Sequence, residues 1–168
     1  MTAPSAAAHL LTSRSRLGTL IAGFAIAIGG VSDFVATKEK IQNGSLFKDH
    51  VEAAIALSPQ DATLHHMQGR FCYTIANLTW IERKVASTLF AEVPAATLAD
   101  ALGHLRRAYD LKKEWKENVL YLAKCCLESK QLDAGRRYIE EGLALPVRGE
   151  DDQVSHQELL LLKKRHIK

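Results

Sequence analysis

The side chains best suited to chemistry in this sequence are cations, because guanidinium and ammonium groups hold carboxylates through charge-assisted hydrogen bonds. Arg70 and Lys124 are the first candidates. A second set, called here the basic surface, consists of Arg106, Arg107, Lys112, Lys113, Arg136 and Arg137. The chemistry that both sets predict is binding of an acidic protein or peptide.

Enzyme and metal signatures are missing from the sequence. It contains no P-loop, GxGxxG, GxSxG or HExxH motif. His65 and His66 are adjacent, so on a helix they point about 100° apart and cannot share a metal ion. Cys72, Cys125 and Cys126 show no CxxC or zinc spacing, and we expect reduced thiols in a helical core. We therefore expect no catalysis, no cofactor and no metal.

Composition predicts a folded helical domain. The 168 residues are 47% hydrophobic and 24% charged, with four prolines, and β-branched runs are few. The net charge of +3 is too small to indicate a nucleic-acid partner, so a basic site must arise from local clustering. The basic C-terminal run 163–168 (KKRHIK) fits solubility and a helix dipole better than a contact with an acidic protein or nucleic acid.

The N-terminal region leaves three alternatives open. Residues 1–32 lack Asp and Glu but hold Arg14 and Arg16 among many Ala, Ser and Thr residues, which is the composition of a mitochondrial presequence. The apolar run 17–31 is shorter than the roughly 20 residues needed to span a bilayer. A packed first helix, a targeting segment and a membrane anchor are all compatible with this pattern. We treat 1–20 as a separate segment, either flexible or targeting.

A repeat is visible in the spacing of small residues. Three segments contain a small residue followed three positions later by leucine: Ala54/Leu57, Ala108/Leu111 and Gly142/Leu145. The second and third are 34 residues apart, the length of a tetratricopeptide repeat. Small residues mark the contact between the two helices of each repeat. Gly69 and Ala123 fit one such position, and Ala101 and Gly135 fit another. The contact explains why Gly69 is present in a helix, where glycine costs roughly 1 kcal/mol relative to alanine.

The predicted fold is all-α: a tetratricopeptide-like α-solenoid of about three helix-pair repeats over residues 21–168. Asp61 and Thr97 are predicted N-caps. The predicted helices are 20–29, 46–57, 62–77, 98–112, 116–129 and 132–145. A C-terminal capping helix, about 151–165, is predicted to cover the end of the stack with Val154, Leu159 and Leu162.

An insertion of about residues 78–96 lengthens the second repeat. Ile81, Val85 and Leu89 recur at i, i+4 and i+8, so this segment is predicted to form an amphipathic helix packed on the stack. Trp80 and Trp115 are predicted to be packing anchors.

Several runs resemble the regulator of microtubule dynamics family: GRFCY, TWIERKVASTLFAEVP, DALGHLRRAYDL and LAKCCLESKQLDAGRRYIEEGLALP. The resemblance extends over about residues 24–168 and includes the unusual insertion. It implies a tetratricopeptide-like domain associated with microtubules and spindle poles, and in some members attachment to mitochondria. In one branch the repeat domain of a mitochondrial outer-membrane tether binds phospholipid. Family members usually have a further helical segment upstream, which residues 1–20 do not resemble.

Tetratricopeptide stacks bind ligands in a groove lined by the first helix of each repeat. The groove positions of that repeat class predict His66, Arg70 and Tyr73 from repeat two and Lys124 from repeat three. We hypothesise that Arg70 and Lys124 hold the carboxylates of an acidic peptide, such as a tubulin C-terminal tail. The alternatives are that both are solvated, or that Arg70 pairs with a nearby Asp or Glu.

Three functions follow as hypotheses. The first is a cytoplasmic adaptor that binds tubulin on microtubules, at the spindle and its poles, and regulates their dynamics. The second is a phospholipid-binding or tethering protein at mitochondrial contacts, with a cavity lined by Phe71, Leu120 and Leu127. The third is a scaffold for a different peptide. The basic surface either contacts an acidic microtubule surface or lipid head groups, or is an ordinary solvated face. Self-association is compatible with so short a stack.

Overall fold

The computed structural model describes residues 37–89 and 95–167. Within these ranges all regular structure is helical, and the all-α prediction is confirmed. The helices are α1 (Thr37–Leu57), α2 (Ala62–Ala76), α3 (Trp80–Leu89), α4 (Leu98–Leu111), α5 (Lys116–Glu128), α6 (Leu132–Ala144) and α7 (Glu150–His166).

The described residues belong to two compact units, and the division passes through α2. The first contains residues 37–64 and 78–89 together with Ala95; α1 and α3 contact each other, and Val51, Ala54 and Leu64 are buried. The second contains residues 65–77 and 96–167, and with them helices α4 to α7. In the described part of the chain, every helix is too short or too polar to cross a membrane.

Local capping sets helix ends close to the predicted ones. The Asp61 carboxylate accepts a hydrogen bond from Thr63 N at 2.8 Å. Thr97 and Asp100 form a reciprocal capping box at the start of α4. Helix α1, however, begins at Thr37 rather than at residue 46 and runs through Gly44, because good helix formers in the flanking turns can offset the roughly 1 kcal/mol cost of one interior glycine.

Helix α5 is the centre of the second unit. It contacts α4, α6 and α7, and a helix that is covered on several sides must be apolar on more than one face. Its buried apolar residues accordingly lie on most sides of the helix: Val119, Leu120, Leu122, Ala123, Cys125 and Cys126. Ala101, Leu102 and Leu105 of α4 and Tyr138 and Ile139 of α6 complete the core around it.

Small residues lie where helices cross, as the repeat pattern predicts. A Cβ at Gly69 would lie 2.6 Å from Leu105 Cγ and 3.2 Å from Leu105 N, and one at Gly135 would lie 2.7 Å from Leu127 Cδ2. A side chain at either position would therefore push apart α2 and α4, or α5 and α6. Ala101 and Ala123 are fully buried.

The capping helix covers the core with fewer residues than predicted. Leu159 is fully buried and Leu162 packs against the core, but Val154 is 61% exposed. Five positions separate Val154 from Leu159, which turns the two side chains about 140° apart on an α-helix. They cannot face the same neighbour, so the prediction for Val154 was wrong.

The insertion forms the predicted helix, α3, but Trp80 and Ile81 at its start are 73% and 67% exposed. Both lie in the first turn of a ten-residue helix, and Trp80 instead lies under the Lys84 ammonium group at 4.9 Å. Trp115 packs as predicted, with its ring centroid 4.1 Å from that of His66. The predicted helix 20–29, the alternatives for residues 1–20 and insertion residues 90–94 lie outside the described residues.

Candidate functional site

The predicted groove residues His66, Arg70, Tyr73 and Lys124 lie on α2 and α5, where side chains of the two helices meet. Together with Glu117, Tyr121 and Glu128 of α5, they form what we call the groove layer. Arg70 Nη1 donates to Glu117 Oε1 at 2.7 Å. Near the other end of α5, Tyr73 Oη donates to Glu128 Oε1 at 2.5 Å, and Asn77 Nδ2 donates to Glu128 Oε2 at 2.7 Å. Carboxylates at both ends of α5 therefore link this helix to α2.

Arg70 and Lys124 do converge, but on an aromatic ring. Arg70 Cζ and Lys124 Nζ each lie 5.0 Å from the centroid of the Tyr121 ring. Tyr73 contacts the same ring edge-to-face, with centroids 5.5 Å apart. Repeat positions do not identify Tyr121, although it follows Glu117 by four residues and so shares its helix face.

Lys124 has a carboxylate partner that sequence reasoning did not assign. Its Nζ donates to Glu158 Oε2 on α7, which lies against α5. Because Arg70 is paired with Glu117, each of the two cations proposed to bind an acidic peptide already contacts a carboxylate of this chain. The alternative that Arg70 pairs with a nearby acid is the one that the geometry shows.

His66 is the buried member of the groove layer, since the residue is only 3% exposed. Asn118 Nδ2 donates to Leu105 O at 3.0 Å, which orients the amide so that its oxygen accepts from His66 Nδ1 at 2.9 Å. The other ring nitrogen, Nε2, is 3.3 Å from Glu117 Oε2. His66 and Asn118 thus link three helices, α2, α5 and α4, through buried polar contacts.

The electrostatics of the groove layer favour the paired state. The close contact with His66, more than any other contact, lowers the pKa of the Glu117 carboxyl below its ordinary value, and the Arg70 charge adds to this effect. Burial, together with the hydrogen bond to Glu128, raises the pKa of Tyr73. Glu117 therefore stays ionised and Tyr73 stays a hydrogen-bond donor near neutral pH.

Lys116 is a buried cation that sequence reasoning missed. The residue is 1% exposed, and its Nζ donates to Gly142 O at 2.7 Å and Leu145 O at 2.6 Å. Carbonyls at a helix C-terminus lack intrahelical partners, so Lys116 supplies the hydrogen-bond donors for two carbonyls at the end of α6. Burial lowers the pKa of this lysine. Its role is structural, and only the tertiary contact identifies it.

The basic surface lies on α4, on the residues that follow it and on α6. Four of its cations contact groups without net charge: Arg106 Nη2 donates to Gln131 Oε1 at 3.1 Å, Lys112 Nζ lies 4.7 Å from the Trp115 ring, Lys113 Nζ lies 5.7 Å from the Tyr109 ring, and Arg137 Cζ lies 5.3 Å from the Tyr138 ring. Such contacts hold a cation in place without neutralising its charge. Arg136 donates to His166 O at 2.9 Å and lies 3.5 Å from the Asp133 carboxylate.

Two acidic residues interleaved with the basic surface are engaged elsewhere. Glu141 accepts a hydrogen bond from Tyr109 Oη at 2.6 Å, and this bond, with burial, raises the pKa of Tyr109 to about 12. Glu114 pairs with Arg148 at 2.7 Å. Neither carboxylate is therefore committed to a cation of the basic surface.

The cysteines are free and buried, as predicted. Burial raises the pKa of the Cys125 thiol to about 12 and also raises that of Cys126. Thiols in this state are poor nucleophiles, because the reactive form is the thiolate.

The comparisons with known proteins agree on one family. Residues 5–165 match the sequence profile described as "Regulator of microtubule dynamics protein 1-3". Similar relatives include Regulator of microtubule dynamics protein 1 of Caenorhabditis elegans, 44% identical over 128 residues, and Regulator of microtubule dynamics protein 2 of Mus musculus, 37% identical over 137 residues. Regulator of microtubule dynamics protein 3 of Xenopus laevis is 35% identical over 133 residues.

These alignments cover 76%, 81% and 79% of this chain, in the same order. They cover 57%, 33% and 29% of the relatives, so the chain spans between about a third and just over half of their length. The identities confirm the resemblance found in the sequence, although the match begins at residue 5 rather than at about residue 24, and the chain belongs to the regulator of microtubule dynamics family.

Proposed function

We propose that this chain is a non-catalytic, microtubule-associated helical-repeat adaptor that binds the acidic surface of tubulin through its basic surface. Membership in the regulator of microtubule dynamics family supports the cytoskeletal assignment. The observation that carries the choice of site is that Lys112, Lys113 and Arg137 rest on aromatic rings. Their charges remain available to an acidic partner.

The groove layer is a less favourable site for the same partner. An incoming carboxylate would have to replace Glu117 at Arg70 or Glu158 at Lys124. Replacing one carboxylate by another gains little electrostatic energy, and the displaced group must find new solvation or a new partner. At Lys112, Lys113 and Arg137, which contact aromatic rings, the incoming carboxylate does not have to replace a carboxylate of the described residues, so the same contact contributes more to binding.

The proposed contact depends on ionic strength. Cations clustered on an exposed surface attract an acidic partner over about one Debye length, which is about 8 Å at physiological ionic strength. Binding should therefore weaken as salt is added, and the largest part of the effect should be on the association rate. Flexible acidic tails of tubulin are suitable ligands because they can follow a surface that has no deep pocket.

The test is microtubule co-pelleting at low and moderate salt with three proteins. These are the wild type, a basic-surface variant (Lys112→Glu/Lys113→Glu/Arg137→Glu) and a groove variant (Arg70→Gln/Lys124→Gln). We expect the basic-surface variant to lose most of the binding and the groove variant to keep it. Thermal unfolding of each protein serves as the control for folding.

Other outcomes reject parts of the proposal. Binding that survives in the basic-surface variant but is lost in the groove variant would reinstate the groove hypothesis. Unchanged binding to microtubules whose acidic tails have been removed would exclude the tails as the ligand. A wild-type protein that never pellets would overturn the tubulin-binding function. Phospholipid binding and a mitochondrial location stay predictions of the family resemblance.

A further inference from the structure

The outer face of α7 combines exposed apolar side chains with opposite charges at its two ends. Val154 and Leu161 are 61% and 65% exposed, and their seven-residue spacing places them nearly in line along the helix. The inner face is the one that is covered, since Ser155 and Leu159 are buried. The end charges are acidic in the first turn, at Glu150, Asp151 and Asp152, and basic in the last, at Lys163, Lys164, Arg165 and His166.

This face is complementary to itself when a second copy is turned round. In an antiparallel pair of α7 helices centred beside Gln157, Val154 of one copy faces Leu161 of the other. The same register places Glu150 opposite Arg165 at both ends of the pair, and it brings Asp151 to the same level along the helix axis as Lys164. A parallel pair would instead place like charges side by side, which is unfavourable. One element thus supplies the apolar centre and both pairs of charges that a two-fold interface requires.

We propose that two copies of this chain associate through α7 as an antiparallel, two-fold symmetric helix pair. Beside Val154 an open depression of about 600 Å³ is lined by Val147, Gly149, Glu150, Gln153 and Val154, and Leu161 of the second copy occupies it. A single helix pair buries less than the roughly 1,600 Å² of a standard interface. The dimer is therefore weak and forms in proportion to concentration.

The first test is sedimentation equilibrium of the wild type over roughly 10–500 µM, a range suited to an interface of this size. We expect a reversible monomer–dimer equilibrium, and Leu161→Glu should weaken it at least about tenfold by placing like charges in the apolar centre. The matched control is Leu132→Glu, an exposed leucine on α6. Wild type that stays monomeric at the highest concentration overturns the proposal, and so does a dimer that Leu161→Glu leaves unchanged.

The second test separates pairing between copies from the effect of the charges on α7 itself, because acids at the start and bases at the end also suit the dipole of a single helix. One variant carries Glu150→Lys/Asp151→Lys and the other Lys164→Glu/Arg165→Glu. Each variant alone should be monomeric, whereas an equimolar mixture should associate, since only in the mixture do opposite charges meet at both ends of the helix pair. A mixture that stays monomeric, with both variants folded by circular dichroism, overturns the proposed pairing.

Discussion

The groove layer and the basic surface contain the same kinds of residue in opposite electrostatic states. In the groove layer each cation has a carboxylate partner, Arg70 with Glu117 and Lys124 with Glu158. On the basic surface Lys112 and Lys113 lie over aromatic rings rather than beside carboxylates of the described residues. The difference teaches that a cation's type and repeat position do not identify a binding site; its partners do.

The difference follows from which helices pack together rather than from burial. The Arg70 side chain is 48% exposed, yet α5 brings the Glu117 carboxylate to 2.7 Å from it. Lys112 and Lys113, which are also exposed, instead lie beside the rings of Trp115 and Tyr109. The charge pairs of the groove layer accordingly link α2 to α5 and α5 to α7.

The largest expected effect on stability comes from Asn118→Ala, which removes the buried hydrogen-bond partner of His66 in the groove layer. This change removes the acceptor of His66 Nδ1 and the donor to Leu105 O. Leaving two buried polar groups without partners should lower the free energy of unfolding by about 2–4 kcal/mol. Urea denaturation measures this loss. The control is Asn77→Ala, which loses one exposed hydrogen bond to Glu128 and should lower the free energy of unfolding by less than about 1 kcal/mol. Equal losses in the two variants would contradict the buried role of Asn118.

A smaller effect is expected from pH. The pKa of Glu117 is lower in the folded protein than its ordinary value, so its ionised form is favoured by folding. The resulting stability is fully present above the ordinary Glu pKa of about 4.3 and is lost as the pH falls through the folded value. Glu117→Gln should therefore lose less stability than the wild type between neutral pH and the acid range.

Thermal unfolding over that pH range tests the prediction about Glu117. Glu150→Gln, at an exposed position of α7, is the matched control and should keep the wild-type acid dependence. An unchanged dependence in Glu117→Gln would show that the pairing with His66 and Arg70 contributes nothing to folding.

The smallest effect on stability is expected at the basic surface. Lys112→Gln/Lys113→Gln removes two exposed charges whose contacts are with the rings of Trp115 and Tyr109. Surface substitutions of this kind change the free energy of unfolding by about 0.5 kcal/mol or less. Chemical denaturation alongside co-pelleting should show near-normal stability with weaker microtubule binding. A variant with normal binding and clearly reduced stability would reverse the roles assigned to the two regions.

Much of the fold was predictable because the relevant signals are local. The first residues of α2 and α4 follow from the N-caps Asp61 and Thr97. The contact at Gly69 follows from repeat spacing, because a small residue is needed wherever two helices cross closely. Helix α1 begins at Thr37, nine residues before its predicted start. Val154 points about 140° away from Leu159 around α7, so it lies outside the buried face.

The candidate site was predictable only in part. Repeat positions correctly brought Arg70, Tyr73 and Lys124 to one layer, where they meet around Tyr121. They did not reveal that Glu158 reaches Lys124 from α7. Nor did they reveal Lys116, which donates hydrogen bonds to carbonyls at the end of α6. Both contacts depend on how α7 and α6 pack on α5, which no local pattern specifies.

The sequence by itself determined the helical class, most helix boundaries, the crossing residues and the family, since periodicity, capping and spacing act over a few turns of one chain segment. Only the tertiary structure decided which charges are neutralised. Arg70 and Glu117 are 47 positions apart and Lys124 and Glu158 are 34 apart. Pairing at such separations depends on the packing of whole helices, and the same packing leaves Lys112, Lys113 and Arg137 without carboxylate partners in the described part of the chain.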